Sequence, residues 1–187
     1  GGQQVSVATD IAVVVDASSV QSLNLSELTV RLNDIEINGS IEASNSLSFI
    51  EGNLQTNSFS LIQQLQWVAE ILPIVSVPEM ADSAALTDVS IESRFTLDTV
   101  AISDINNLIM LDGQAIQVDL KIDQPRNKLT TIVSADVIKA SNYLPKSGSS
   151  ADNSGLFAPL AIPFALWQGQ SQVEMTIGSV QLNDFAV

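Results

Sequence analysis

The sequence predicts a mainly β chain of the α+β class. The expected architecture is a long, twisted and curved antiparallel sheet with an apolar concave face and one or two short covering helices. Three observations carry this. Apolar residues recur at every second position in six or more segments, the period of a strand with one buried side. A single segment shows the three- and four-residue spacing of a helix. Hydrophobic residues make up 45% of the 187 and charged ones 15%, against about 25% charged in an ordinary globular domain. So much apolar strand surface with so little helix leaves two arrangements. Either two sheets stack face to face, or one sheet curls around an apolar concavity.

Val5, Val7, Thr9, Ile11, Val13 and Val15 alternate strictly with Ser6, Ala8, Asp10 and Ala12, which makes a half-buried strand. Leu28, Val30 and Leu32 alternate next, and Ile35, Ile37, Gly39, Ile41 and Ala43 resume on the opposite parity. A phase flip at Asn33-Asp34 marks a tight turn or a bulge. Leu47, Phe49 and Leu54 predict a further strand, with Glu51-Gly52-Asn53 at or near a turn. Ser60 and Gln63 have the spacing of a capping box. Leu61, Leu65, Val68 and Leu72 then share one face of a helix that Pro73 stops. Glu79 to Leu86 predicts a short second helix.

Strands resume with Val89, Ile91 and Ser93, or with Phe95 and Leu97 in a shifted register. Ile109 and Leu111, then Ile116, Val118, Leu120 and Ile122, alternate around Asp112-Gly113, a hairpin signal. Asp123 to Asn127 reads as a turn, Leu129 to Val137 as a strand, and Asn142-Tyr143-Leu144-Pro145 as its close. Lys146 to Gly155 has the Ser, Gly and Asn composition of a flexible loop. Leu156 to Leu166 is apolar and broken by prolines, the pattern of a short helix packed on a sheet. Val173, Met175 and Ile177 form a strand, Gly178 a kink or turn, and Val180 and Leu182 a last strand. A weak internal repeat runs through this order. The shift that carries Leu32 onto Leu111 also carries Ile37 onto Ile116, Ile41 onto Leu120 and Ala43 onto Ile122. The length suits one domain, 1–187, with 146–155 as its flexible loop.

Charge and composition exclude several function classes. Seven Lys and Arg against 21 Asp and Glu leave a formal net charge of −14. No basic stripe exists to displace counterions from nucleic acid. His and Cys are absent, so no Ser-His-Asp triad, Cys nucleophile or ordinary zinc or iron–sulfur site can be built. Disulfides are impossible, and cysteine usage therefore does not identify a compartment. No phosphate loop, dinucleotide fingerprint or calcium loop occurs. The longest apolar run, Phe157 to Trp167, carries Pro159 and Pro163 and falls short of the about 20 residues a spanning helix needs. The chain opens Gly1-Gly2 without Met, which reads as an excised piece with any leader out of view.

Two clusters merit weighing. Asp104, Asp112, Asp119 and Asp123 could meet as acid–base carboxylates, but turn and solvent-face positions account for them. Lys121, Arg126 and Lys128 are the only basic cluster. Pairing with Asp119 and Asp123, or guarding a strand edge, explains them better than phosphate binding. The expectation is a non-enzymatic chain with no cofactor and no metal.

From Phe59 onward the chain resembles the C-terminal region of the AsmA family of bacterial envelope proteins. An apolar helix ends in Ile71-Leu72-Pro73, and the Ala81 to Leu86 segment leads into a strand. A hairpin follows around Leu111-Asp112-Gly113-Gln114, then a strand ending in Asn142-Tyr143-Leu144-Pro145 and a variable loop. A Pro-containing apolar segment, Gln168-Gly169-Gln170 and the strand Val173 to Ile177-Gly178 close the order. The first 55 residues match only as generic strands. The resemblance implies a periplasmic segment of a protein anchored in the inner membrane by a helix outside this chain. It also implies a role in outer-membrane biogenesis and a likeness to bridge-like lipid-transfer proteins, whose curved sheets are apolar on the concave side. The partner so implied is phospholipid, held by its acyl chains, with envelope proteins as further partners. On this reading the lipid-groove candidates are Val30, Leu32, Ile37, Ile41, Ile109, Leu111, Ile116, Val118, Leu120 and Ile122. The competing expectation is a structural scaffold for outer-membrane protein assembly, with a filled core and no groove.

Overall fold

The structure is a computed structural model that describes residues 5–16, 19–71, 77, 80, 82–144 and 169–182. Nine strands form one sheet, and their order in space is their order in the chain. They are β1 (Val5–Asp16), β2 (Ser19–Leu32), β3 (Ile35–Ser44), β4 (Phe49–Thr56), β5 (Val89–Asp98), β6 (Ile102–Leu111), β7 (Gln114–Asp123), β8 (Lys128–Lys139) and β9 (Gln170–Gln181). One helix, α1 (Leu61–Ile71), lies between β4 and β5, and a 3-10 turn, Ala140–Tyr143, follows β8. The meander is antiparallel from β1 to β8. Only β9 departs, joining β8 in parallel. Of the two arrangements open to the sequence, the described residues adopt the single curved sheet.

The hairpins follow from turn chemistry. Asn33 (φ 55°), Asp112 (φ 48°) and Gly113 (φ 78°) hold left-handed backbone in the turns between β2 and β3 and between β6 and β7. Asn, Asp and Gly adopt that region at least cost. A turn of two residues places Leu32 opposite Ile35 and Leu111 opposite Gln114. The parity flip at Asn33-Asp34 is therefore a hairpin. A second flip had no sequence signal. Apolar residues of β2 are odd-numbered at Leu23 and Leu25 but even-numbered from Leu28, and a bulge between them absorbs the extra residue.

The weak repeat is a property of the fold. The same shift lays the bounds of β3 on those of β7, the start of β4 on that of β8, and the turn 45–48 on the turn 124–127.

Several local expectations are corrected. Glu51-Gly52-Asn53 is the middle of β4 and no turn, while Leu47 sits in the turn before it. Gly52 is there because the Phe95 ring lies over it: a Cβ would come 2.7 Å from the ring. Val89 through Leu97 is one strand in one register. The expected second helix is a set of turns across 82–86, tied down by hydrogen bonds to Asp112. Gly178 lies inside β9, where a side chain would meet the Asp136 carbonyl at 2.6 Å, so the glycine permits close strand approach instead of turning the chain. The Ser60 cap forms with Gln63 N at 3.4 Å. Leu72, Pro73, Pro145, the loop 146–155 and the apolar segment 156–166 lie outside the described residues.

The sheet is laced most tightly at Gly39. A Cβ there would sit 2.0 Å from the Asn53 carbonyl oxygen of the neighbouring strand, with no flexible side chain to give way. Gly39→Ala should destabilise the chain by roughly 3 kcal/mol or more, measured as a shift of the urea midpoint. Wild-type stability in that variant would show that the β3–β4 spacing is looser than described.

Candidate functional site

Cross-strand partners project from the same side of a sheet, so the pairing register sorts every strand residue onto one of two faces. All ten groove candidates fall on one face. Val30 pairs with Ile37, and Leu25 with Ile41. Ile41 leads through Gly52 and Phe95 to Ile105 and Leu120. Ile109 pairs with Ile116, and Val118 with Val133. Each of the ten is half-buried.

The face holds more than the sequence reading named. Ile50 and Leu54 of β4, Ile91, Phe95 and Leu97 of β5, and Leu129 and Val133 of β8 join the two candidate hairpins into one surface. Val5, Val7, Ile11 and Val13 extend it at one edge, and Val173 and Met175 at the other. Their alternation was visible in sequence, but its phase relative to the neighbours was not. No Asp, Glu, Lys or Arg of a described strand stands on this face apart from Lys139, the last residue of β8; Glu27 occupies the β2 bulge and is exposed.

The surface is apolar but not a packed core. Among the described residues no large side chain is fully buried. α1 has no buried residue, and it hangs from one end of the sheet by the Ile62 amide on the Leu86 carbonyl and by Gln64 on the Asp34 carboxylate. Inside this surface Thr131 is 5% exposed, and its hydroxyl has no hydrogen-bond partner among the described residues.

The opposite face is polar. Ser40, Glu42, Glu51, Asn53, Glu92 and Arg94 line a shallow depression of about 610 Å³ there. Glu42 and Glu51 stand directly opposite each other in register.

The four weighed carboxylates do not converge. Asp104 is opposite Lys121, Asp119 is opposite Asn106, and Asp112 and Asp123 lie at the two ends of β7. Among the described residues no group of three such side chains is placed to hold a metal. Of the basic cluster, Arg126 pairs with Asp123 at 2.7 Å. That contact holds the Asp123 carboxyl below its ordinary range and pushes the guanidinium up.

One end of the apolar face is closed by a polar lock. Asp112 accepts the amides of Leu86 (2.8 Å), Thr87 (3.2 Å) and Asp88 (3.1 Å). The buried Gln114 amide donates to the Tyr143 hydroxyl at 2.6 Å, and its carbonyl oxygen accepts the Lys139 amide at 2.6 Å. The lock joins the 82–88 turns, the β6–β7 hairpin and the end of β8.

Comparison with models of protein families, with curated proteins and with solved structures finds no match.

Tyr143 is the only tyrosine, so it reports on this lock. Burial raises its pKa to about 12, helped by the Asp112 charge and its hydrogen bond and opposed by the Gln114 hydrogen bond. A folded pKa above the unfolded value near 10 means the lock contributes stability fully below about pH 10, and that stability is lost as pH rises toward 12. Absorbance titration of the phenol should give a midpoint near 12, moving toward the ordinary value in Asp112→Asn. An ordinary midpoint in the wild type would mean the lock is open.

Proposed function

We propose that this chain is a non-enzymatic lipid-binding segment that holds acyl chains on the apolar face of its sheet. The single observation that carries the reading is the continuity of that face, which runs across all nine strands without a charge within it. Exposing hydrocarbon to water costs about 0.8 kcal/mol per CH₂, and a surface of Ile, Leu, Val and Phe side chains offsets most of that. A contiguous apolar surface much beyond a few hundred Å² is rare on a monomer without a ligand or partner. The sheet can carry such a surface because its backbone groups are paired between strands and do not depend on what covers the side chains.

The AsmA resemblance, which rests on the ordered motifs from Phe59 onward, supports phospholipid as the ligand. With it come the periplasm as the compartment, an inner-membrane anchor outside this chain, and outer-membrane biogenesis as the process. The scaffold alternative needs a filled core. The half-burial of all ten candidates and the lack of a fully buried large side chain among the described residues favour the open face.

Native mass spectrometry after gentle purification should find phospholipid bound to the wild type. Leu120→Asp places a carboxylate in the middle of the face, where water can still reach it. Its expected stability cost is about 1–2 kcal/mol, with bound lipid and photo-crosslinking to acyl chains lost. A loss of several kcal/mol would mark a sealed core and favour the scaffold.

A further inference from the structure

We infer that one rim of the sheet, formed by the turns 45–48, 99–101 and 124–127, is a docking edge for a phospholipid bilayer. The inference rests on the lipid-binding reading and adds the place where lipid reaches the apolar face.

The rim is one hydrogen-bonded edge. The Ser46 amide donates to the Gln21 carbonyl (3.1 Å), Thr99 to Ser48 (3.1 Å), Gln124 to Ala101 (3.1 Å) and Gln170 to Asn127 (2.9 Å). Main-chain bonds of this kind set the tips side by side from β2 to β9.

The tips carry side chains that turn chemistry does not ask for. Val100 is 74% exposed, the most exposed large hydrophobic residue among those described, and Leu47 is 41% exposed. Leu47 also holds left-handed backbone at φ 66°, after Asn45 at 52° and Ser46 at 57°. Asn or Gly would adopt that conformation at lower cost. Two local rules are broken together at neighbouring tips, and both breaches put an apolar side chain outward.

Charge on this rim is arranged to suit a headgroup layer. Asp98 turns its carboxylate onto the amides of Val100 (2.8 Å) and Ala101 (2.9 Å). Asp123 is held by the Arg126 amide and guanidinium. Asp16 is the third carboxylate, at the far edge on β1. Arg126 is 77% exposed and bonds Asp123 through one nitrogen, and Lys128 begins the next strand. Under the internal repeat, Arg126 stands where Leu47 stands in the first copy. A leucine at the acyl boundary and a guanidinium at the phosphates is the chemistry of an interfacial anchor. The tight turns of the opposite rim carry Asp34 and Asp112 instead, beside Asp82 and Asp88. The apolar face reaches the docking rim at Ile50, Leu97, Ile122 and Leu129, so an acyl chain leaving the bilayer meets no charge of a described strand before Lys139 at the far end of β8.

The test is co-sedimentation of the chain with phosphatidylcholine vesicles at physiological ionic strength, comparing wild type with the double variant Leu47→Asn, Val100→Asn. Asn suits the left-handed site, so the fold is kept, and circular dichroism checks that. The expected loss of vesicle partitioning is roughly tenfold for each side chain withdrawn from the interface. Leu120→Asp should still sediment with vesicles while losing bound lipid. If the wild type binds vesicles but carries no lipid, the rim inference stands and the lipid-binding reading fails. A wild type that stays in the supernatant, or a double variant that sediments as well as wild type, overturns the inference. Self-association abolished by the double variant, without vesicle binding, would also overturn it and reassign the rim to a contact between copies.

Discussion

Everything in this chain depends on the backbone ladder keeping one phase across nine strands. Side chains alternate with a period of two, so a slip of one residue between β3 and β4 would set Glu51 beside the apolar residues of β3, and one between β4 and β5 would set Glu92 and Arg94 beside those of β4. Tight hairpins prevent that, and bulges in β2 absorb the extra residues. The bulge between Leu25 and Leu28 is the clearest case: the sequence changes parity within β2, and the backbone accommodates it so that the face does not change. The glycines serve the same end. Gly39, Gly52 and Gly178 stand where another residue would push a neighbouring strand or ring aside.

Such a sheet draws little stability from a sealed interior. The buried apolar side chains among the described residues are few: Leu28, Phe59 and Leu129 beside the smaller Ala43, Ala85, Val89 and Ala135. Cross-strand neighbours half-bury one another, and polar clamps hold the ends. The Asp112 carboxylate receiving three amides and the Gln114–Tyr143 contact do at one end what a second layer does in a sandwich. Among the described residues the apolar face is thereby left without a packed second layer, the arrangement on which the proposed lipid binding rests. Among the described residues, pairing and clamping hold the sheet together.

The two long sides of the face share turn carboxylates and differ in what else their tips expose. One is bounded by Asp-rich turns whose carboxylates accept backbone amides and the Gln64 side chain, as Asp98 and Asp123 accept backbone amides along the second. The other is a row of tips in which Leu47 and Val100 point outward beside Arg126. Within that row, equivalent turns of the two repeat copies carry a leucine and an arginine in the same place.

By itself the sequence determined the class of the fold, most of its strands and the composition of its main face, but it showed only the second half of β2 and the end of β6 and divided β9 in two. Alternation is a local property, so Val30, Ile37, Ile116 and Leu120 could be assigned to apolar sides without knowing what lay opposite. Asp112-Gly113 and Asn33-Asp34 likewise announce their turns through backbone preferences that need no partner. Tertiary structure alone decided how those sides combine. The phase of β5, the role of Gly52 beneath Phe95, the parallel entry of β9 and the turns across 82–86 depend on a neighbouring strand or a distant carboxylate. Ile50, Leu54 and Leu129 joined the face for the same reason: a strand shows its period in sequence, but only pairing shows which side it shares with the next.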